Sequence, residues 1–312
     1  TWGTIGGRTD FYMWKPVFLD YSYNFAVRNF RHGSFGNITK IDNTRQVKNS
    51  ESFFSVAAGM PLAHRGVFLI RANGGHVNYR YDSDELFADD TDHSRYSFFG
   101  IKAELARNTL DKFLYPRRGS DLKLSGIFVT GRDKYEPFDA EKFLSRTSRQ
   151  WVGARLTWDK YFDMPGCSWL SLGLNVDGVI TNHPEFTTEG ATVMSMPAYE
   201  PVPHAQMIYM PDFRGKRFAA GGVMPTFDLM PNFFLRTGFY AMFREKRSFV
   251  PGVSGPVEDK RWHYIAEASL VYHTPIGPVS LALTKYDLRN WKNMYLTFNF
   301  GYAIFAPKGT FY

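Results

Sequence analysis

The residues that could do chemistry are few, and none of them is arranged for catalysis. The nearest thing to a nucleophile elbow is Gly252-Val253-Ser254-Gly255-Pro256. An elbow needs a small last residue so that a strand can turn sharply into a helix and expose its serine. Here proline stands at that position, in a long loop. The 8 histidines show no H-E-x-x-H and no paired spacing, and the single Cys167 can build neither a zinc site nor an internal disulfide. No catalytic residue, no metal centre and no cofactor is therefore expected, and the chain itself is not expected to be an enzyme. Two charged clusters remain. Asp82, Asp84, Glu85, Asp89, Asp90 and Asp92 offer hard oxygen ligands to a divalent cation, but a solvated acidic loop is the simpler account. Arg244, Lys246, Arg247, Lys260 and Arg261 gather at one strand end, either against lipopolysaccharide phosphates or in water.

The elements that must carry these residues are strands. Alternation of apolar and polar residues recurs along the chain. In 295–305, Leu296, Phe298, Phe300, Tyr302 and Ile304 oppose Thr297, Asn299, Gly301 and Ala303. In 168–177, Leu170, Leu172, Leu174 and Val176 oppose Ser171, Gly173, Asn175 and Asp177. Residues 17–28 set Val17, Leu19, Tyr21, Tyr23 and Phe25 against Asp20, Ser22, Asn24 and Arg28. The charges Lys102, Glu104, Asp121, Lys123, Arg155, Asp177, Arg236 and Glu267 all fall on the less apolar register. A charge facing lipid at mid-depth costs about 2–4 kcal/mol for Arg or Lys, so that register must line a lumen.

Composition agrees. Aromatic residues are 17% of the 312, with 29 Phe and 18 Tyr. Mean hydropathy is only −0.31, and no apolar run approaches the length of a membrane-crossing helix. The formal charge is +7, but the basic residues scatter over loops and alternate strand positions without forming a stripe. Nucleic acid is therefore not the expected partner; outer-membrane lipids and lipopolysaccharide are. The fold expected is all-β, a transmembrane antiparallel barrel, because an open edge in hydrocarbon would leave amides unpaired. Fifteen strand segments are legible, including weakly patterned ones near 190–198 and 204–212 in a methionine-rich stretch. An even count is the rule for such barrels, so about 16 strands are expected. Short connections, such as Tyr115–Gly119 and Asp163–Gly166, alternate with long ones, such as 31–51 and 247–260. The short ones are expected to face the periplasm and the long ones the outside of a bacterial outer membrane. Residues 1–312 read as one barrel domain. The chain starts at Thr1 with neither Met nor a signal segment, so it is expected to be the C-terminal portion of a longer protein.

Particular motifs carry a resemblance. Asn108-Thr109-Leu110-Asp111, followed by Leu114-Tyr115-Pro116-Arg117-Arg118-Gly119, resembles a turn of the BamA/TamA-like surface-antigen superfamily. Pro116 and Gly119 would close that turn, and Arg118 would reach lipid phosphate. Phe213-Arg214-Gly215 resembles the superfamily's V-R-G-F/Y motif, which lies on an extracellular loop folded back into the lumen. The final hairpin, from Thr274-Pro275-Ile276-Gly277 to the closing F-N-F-G-Y-A-I-F, is similar as well. One departure stands out. The superfamily carries an Asp that meets the loop arginine, and the matching run here is Phe234-Leu235-Arg236-Thr237-Gly238. Arg236 cannot pair with Arg214, so Glu267 on the neighbouring strand is the expected lumenal partner. Arg236 would then compete for Glu267 or take Asp177 or Glu104. The stretch F-R-G-x-x-F-A-A-G-G, then F-L-R-T-G-F-Y, looks most like the C-terminal barrel of Bacteroidetes patatin-like phospholipases.

That resemblance implies a membrane anchor and translocation conduit for an upstream patatin-like domain. Its partners would be upstream domains of the same polypeptide or a translocated polypeptide. The alternatives are an outer-membrane assembly or polypeptide-translocation factor and, third, a porin-like channel.

Overall fold

The computed structural model describes residues 2–12, 16–31, 46–82, 91–136, 145–187, 189–202, 210–245, 262–286 and 294–301. Thirteen strands make one sheet in which every neighbour in sequence is an antiparallel neighbour in space. They are β1 (Trp2–Tyr12), β2 (Pro16–Arg31), β3 (Gln46–Leu62), β4 (Gly66–Asp82), β5 (Thr91–Asn108) and β6 (Gly119–Glu136). Then follow β7 (Ser145–Asp163), β8 (Leu170–Thr181), β9 (Arg217–Met230), β10 (Phe233–Arg244), β11 (Trp262–Thr274), β12 (Gly277–Tyr286) and β13 (Met294–Phe300). Among the described residues β1 and β13 are the sheet's edges.

One expected strand is not a strand, and neither is the described end of a second. The segment 190–198 lies largely in a short helix, α1 (Glu189–Ser195), and 210–213 ends in a single 3-10 turn over Pro211–Phe213. Residues 204–209 lie outside the described residues. The physical reason is burial: Ala191 to Tyr199 are all buried, so their sequence carries apolar residues without a two-residue period. Thirteen strands thus stand where about 16 were expected, among the described residues. The last strand is described to Phe300, and the end of the run read as 295–305 falls among 302–312, outside the described residues.

The alternation does what the period requires. Tyr21, Tyr23 and Phe25 are exposed on one face, whereas Asn24 and Ala26 are buried on the other. Leu281 and Leu283 are exposed; Ser280, Ala282 and Thr284 are buried. Leu105, Leu124 and Leu156 form one outward row across β5, β6 and β7, since Leu105 pairs with Leu124 and Leu124 with Leu156. An apolar exterior this extensive suits acyl chains and would drive association in water. The inward face holds the strand charges in mutual contact. Lys102 meets Glu104 at 2.5 Å, Lys123 meets Asp121 at 2.6 Å, and Arg155 forks onto both oxygens of Asp177 at 3.1 and 2.6 Å.

The sheet curls until distant strands share one interior. Tyr115, just after β5, donates its hydroxyl to Ser280 on β12 at 2.9 Å and packs edge-on against Phe234 on β10. Arg117 crosses to Asp228 on β9 at 2.5 Å. The β5–β6 turn therefore folds inward beneath the interior. It is held by Asp111, whose Oδ1 accepts the amides of Arg117 and Arg118. Gly119 takes φ +100°, and a Cβ there would meet the Thr109 carbonyl oxygen at 2.2 Å, so the turn requires glycine.

Leu124 and Ser125 are adjacent but face opposite solvents, and Ser125 lies directly opposite Glu104. Leu124→Arg is expected to destabilise the inserted protein by about 2–4 kcal/mol. Ser125→Arg, on the inward polar face between Glu104 and Arg155, should cost far less. Urea unfolding in lipid vesicles measures both, and equal losses would mean that the faces are wrongly assigned.

Candidate functional site

The inward face is crossed by the β8–β9 connection, residues 182–216. Its first arm docks on one wall. Phe186, Ala191 and Met194 join a buried cluster with Phe53, Val77, Tyr96, Val129 and Trp151, which come from β3 to β7. Asp133 on β6, only 1% exposed, anchors the approach to α1. Its Oδ2 accepts both the amide and the hydroxyl of Thr187 at 2.9 Å, and its Oδ1 accepts Ser94 at 3.2 Å. His183, past the end of β8, packs at a tilt against Trp151, with ring centroids 4.6 Å apart. Burial pushes its imidazole pKa down to about 3, which keeps the ring neutral in this apolar setting.

The end of the first arm and the second arm dock further round the wall. Tyr199 and Val202, with Met210 and Phe213, join Tyr161, Val179, Phe218, Met224, Tyr240, Met242, Ile265 and Tyr286, from β7 to β12. Phe213 meets His263 and Tyr286 edge-on at 5.7 and 6.2 Å. Tyr199 donates to Asn175 at 2.7 Å, and Asn175 in turn donates to Asp159 at 2.8 Å. The two arms bond to each other through the isolated bridge Ala198–Arg214, with Tyr199 N donating to Phe213 O at 2.8 Å. Arg155, already paired with Asp177, also donates to the Ala198 carbonyl at 3.1 Å.

Arg214 lies at the meeting of the arms and is 7% exposed. Its Nη1 donates to the carbonyls of Met194 and Met196 at 2.9 and 3.3 Å, which closes the C-terminal end of α1 with a cation. Its carboxylate is Glu200 at 3.9 Å, not the expected Glu267. The reason is local: the bridge at Ala198 places Glu200 two residues further on, beside the returning arginine. Glu267 instead accepts the hydroxyl of Ser269, one diagonal step from Arg236, which lies opposite Ser269. Arg236 takes neither Asp177, held by Arg155, nor Glu104, held by Lys102. It donates to the Tyr161 hydroxyl at 3.4 Å and sits 5.6 and 5.7 Å from the rings of Tyr115 and Tyr161.

Sequence reasoning missed the residue that clamps this loop. Arg244 stands neither in water nor against lipid phosphate; it is 2% exposed, on the inward face of β10 at its long-connection end. Its Nη1 donates to the Arg214 carbonyl at 2.8 Å and its Nε to His263 Nε2 at 3.1 Å, while Nη2 lies 3.6 Å from Asp212. The signal was available: Arg244 shares the period of Phe234, Arg236, Tyr240 and Met242. Lys246, Arg247, Lys260 and Arg261 lie outside the described residues, as does most of the acidic loop, Asp84 to Asp90. Arg118 bonds the neighbouring turn through Asp163 at 2.6 Å, with its side chain 73% exposed, and Pro116 is buried beside Tyr115. Gly215 is buried, and its amide donates to Pro197 O at 3.1 Å. Among the described residues no three His, Cys, Asp or Glu side chains gather as a metal site. What this arrangement can do is hold a loop across an interior.

Losing the bond from Arg244 to the Arg214 carbonyl should cost the docked loop about 1.5–3 kcal/mol. Arg244→Ala is therefore expected to raise ion conductance in planar bilayers and protease cleavage within 182–216 by tenfold or more. Arg217→Ala breaks only an exposed pair with Glu245 and should change neither. Identical behaviour of the two variants would refute the clamp.

No family model matches the sequence, and no curated protein matches it. Among solved structures, BamA from Haemophilus ducreyi, in a form lacking POTRA domains 1–3, matches with a TM-score of 0.60 at 11% identity, covering 95% of this chain and 60% of that one. CdiB from Acinetobacter baumannii gives a TM-score of 0.35 at 6% identity, covering 94% of this chain and 58% of that one. The chain thus spans about 60% of the length of the solved proteins it matches. At 11% identity the likeness is one of architecture, and this chain has the fold of a BamA-type β-barrel.

Proposed function

We propose that the chain is a bacterial outer-membrane barrel of the BamA-like kind that serves polypeptide translocation, as membrane anchor and conduit for an upstream patatin-like domain of the same protein. One observation carries the translocation reading. The interior is occupied by the chain's own loop, docked on both walls and clamped by Arg244 and Arg214. A diffusion channel gains nothing from such a plug, whereas a barrel that opens only for a polypeptide needs one. The patatin-like assignment rests on the run from Phe213 to Tyr240 and on Arg236 standing where assembly factors carry Asp. The barrel itself does no chemistry in this account. General assembly of other outer-membrane proteins is the second reading, and the BamA-type fold favours it.

Depletion in the native host separates the two. If the barrel is an anchor and conduit, only the polypeptide joined to it loses surface exposure, as read by protease shaving of intact cells. If it is an assembly factor, many unrelated outer-membrane barrels fall together. Swelling of proteoliposomes in small sugars at the rate of an open porin would overturn both.

A further inference from the structure

The outward face is not uniform. Along β5 the outward positions run from Arg107 through Leu105, Ile101 and Phe99, then change to Ser97 and Arg95. Twelve residue steps separate Arg107 from Arg95. At ~3.4 Å per residue and a tilt of ~40° that is ~31 Å of height, enough to place one arginine at each headgroup layer of a band ~25 Å tall. With the long connections outside, Arg95 stands in the outer leaflet's headgroup layer.

The same change occurs in register on the flanking strands. Lys48 pairs with Arg80, Asn78 with Arg95, Arg95 with Lys134, and Ser97 with Arg132. Like charges placed directly opposite repel, so Lys48 facing Arg80 is an unfavourable arrangement in the isolated protein. Arg80, Arg95 and Arg132 are exposed, and no carboxylate pairs with them among the described residues. The opposite wall differs. There the outward arginine at the same end, Arg217, is paired with Glu245 at 3.5 Å, and the outward Phe243 and Trp262 stack at 5.1 Å.

We propose that this face of β3–β6 binds a phosphorylated glycolipid of the outer leaflet, an inference that rests on the outer-membrane reading above. Guanidinium forks match phosphate oxygens bidentately, and an anion between Lys48 and Arg80 converts their repulsion into shared attraction. From β3 to β6 the patch is three strand spacings wide, or ~14 Å. That exceeds one phosphodiester and suits a sugar headgroup carrying more than one phosphate. The neutral polar groups fit sugar hydroxyls: Ser52 stands opposite His76, and His76 Nδ1 and Ser97 Oγ bond each other at 2.8 Å. Directly below, Phe54, Phe99, Ile101 and Phe128 are exposed and offer the acyl chains an apolar bed.

The test is binding of lipid A, fully dephosphorylated lipid A and phosphatidylglycerol to the purified chain in detergent, by native mass spectrometry. Folding is checked by heat-dependent gel migration. The wild type should bind lipid A at least tenfold more tightly than either other lipid, with affinity falling as salt rises. The double variant Arg95→Gln, Arg132→Gln should lose tenfold or more for lipid A, while Arg217→Gln, on the other wall, should lose nothing. Equal binding of the dephosphorylated lipid, equal binding of phosphatidylglycerol, or an unaffected double variant would overturn the site. Failure of the chain to insert into lipid vesicles would instead overturn the outer-membrane reading, and the site with it.

Discussion

A guanidinium removed from bulk water must be met by acceptors, and two such groups organise this interior. Arg244 gives a hydrogen bond to the carbonyl of Arg214, and Arg214 gives its own to the carbonyls that end α1. The approach to α1 is held by Asp133 on β6 through Thr187. Polar contacts thus hold the loop at β10 on one side and at β6 on the other. The apolar clusters on either side give bulk adhesion, but they are tolerant of sliding. The polar contacts have fixed geometry, so they set the register at which the loop docks.

The rest of the structure follows from where polar groups are allowed. An apolar exterior forces the strand charges inward, and inside they are sorted into pairs such as Arg155–Asp177 and Lys102–Glu104. Those pairs occupy the acids nearest the wall. Arg236 is therefore left with the Tyr161 hydroxyl and two aromatic rings, diagonal to Glu267, and the loop must bring its own carboxylate, Glu200. The inward β5–β6 turn, with Tyr115 reaching β12 and Arg117 reaching β9, closes the other end of the interior by the same means.

How much of this was legible depends on the period. A strand with lipid on one side and water or polar groups on the other writes alternation into its sequence, so β2, β8 and β13 were readable residue by residue. The faces of Asn24 and Asp177 followed directly. The segment from Ala191 to Tyr199 is buried all round, so neither a two-residue nor a clean helical period survives, and it was mistaken for a strand. Phe213-Arg214-Gly215 was recognisable as a motif, but its acid was not. Ion-pair partners across a folded-back loop depend on where the chain reverses, here at the Ala198–Arg214 bridge, and no local pattern encodes that. Arg244 had the inward period yet was grouped with neighbouring basic residues, because proximity in sequence was weighed above strand face.

The central claim is that one loop is docked on both walls of the inserted barrel at once. Paired-cysteine cross-linking in a Cys167→Ser background tests it directly. One pair joins Asp133→Cys on β6 to Thr187→Cys, and the other joins Tyr286→Cys on β12 to Phe213→Cys with a short bismaleimide. Both pairs should cross-link rapidly in vesicles, each in the great majority of molecules, and the four-cysteine variant should carry both links in the same molecule. Cross-linking that requires denaturant, or two links that never occur together, would contradict the account.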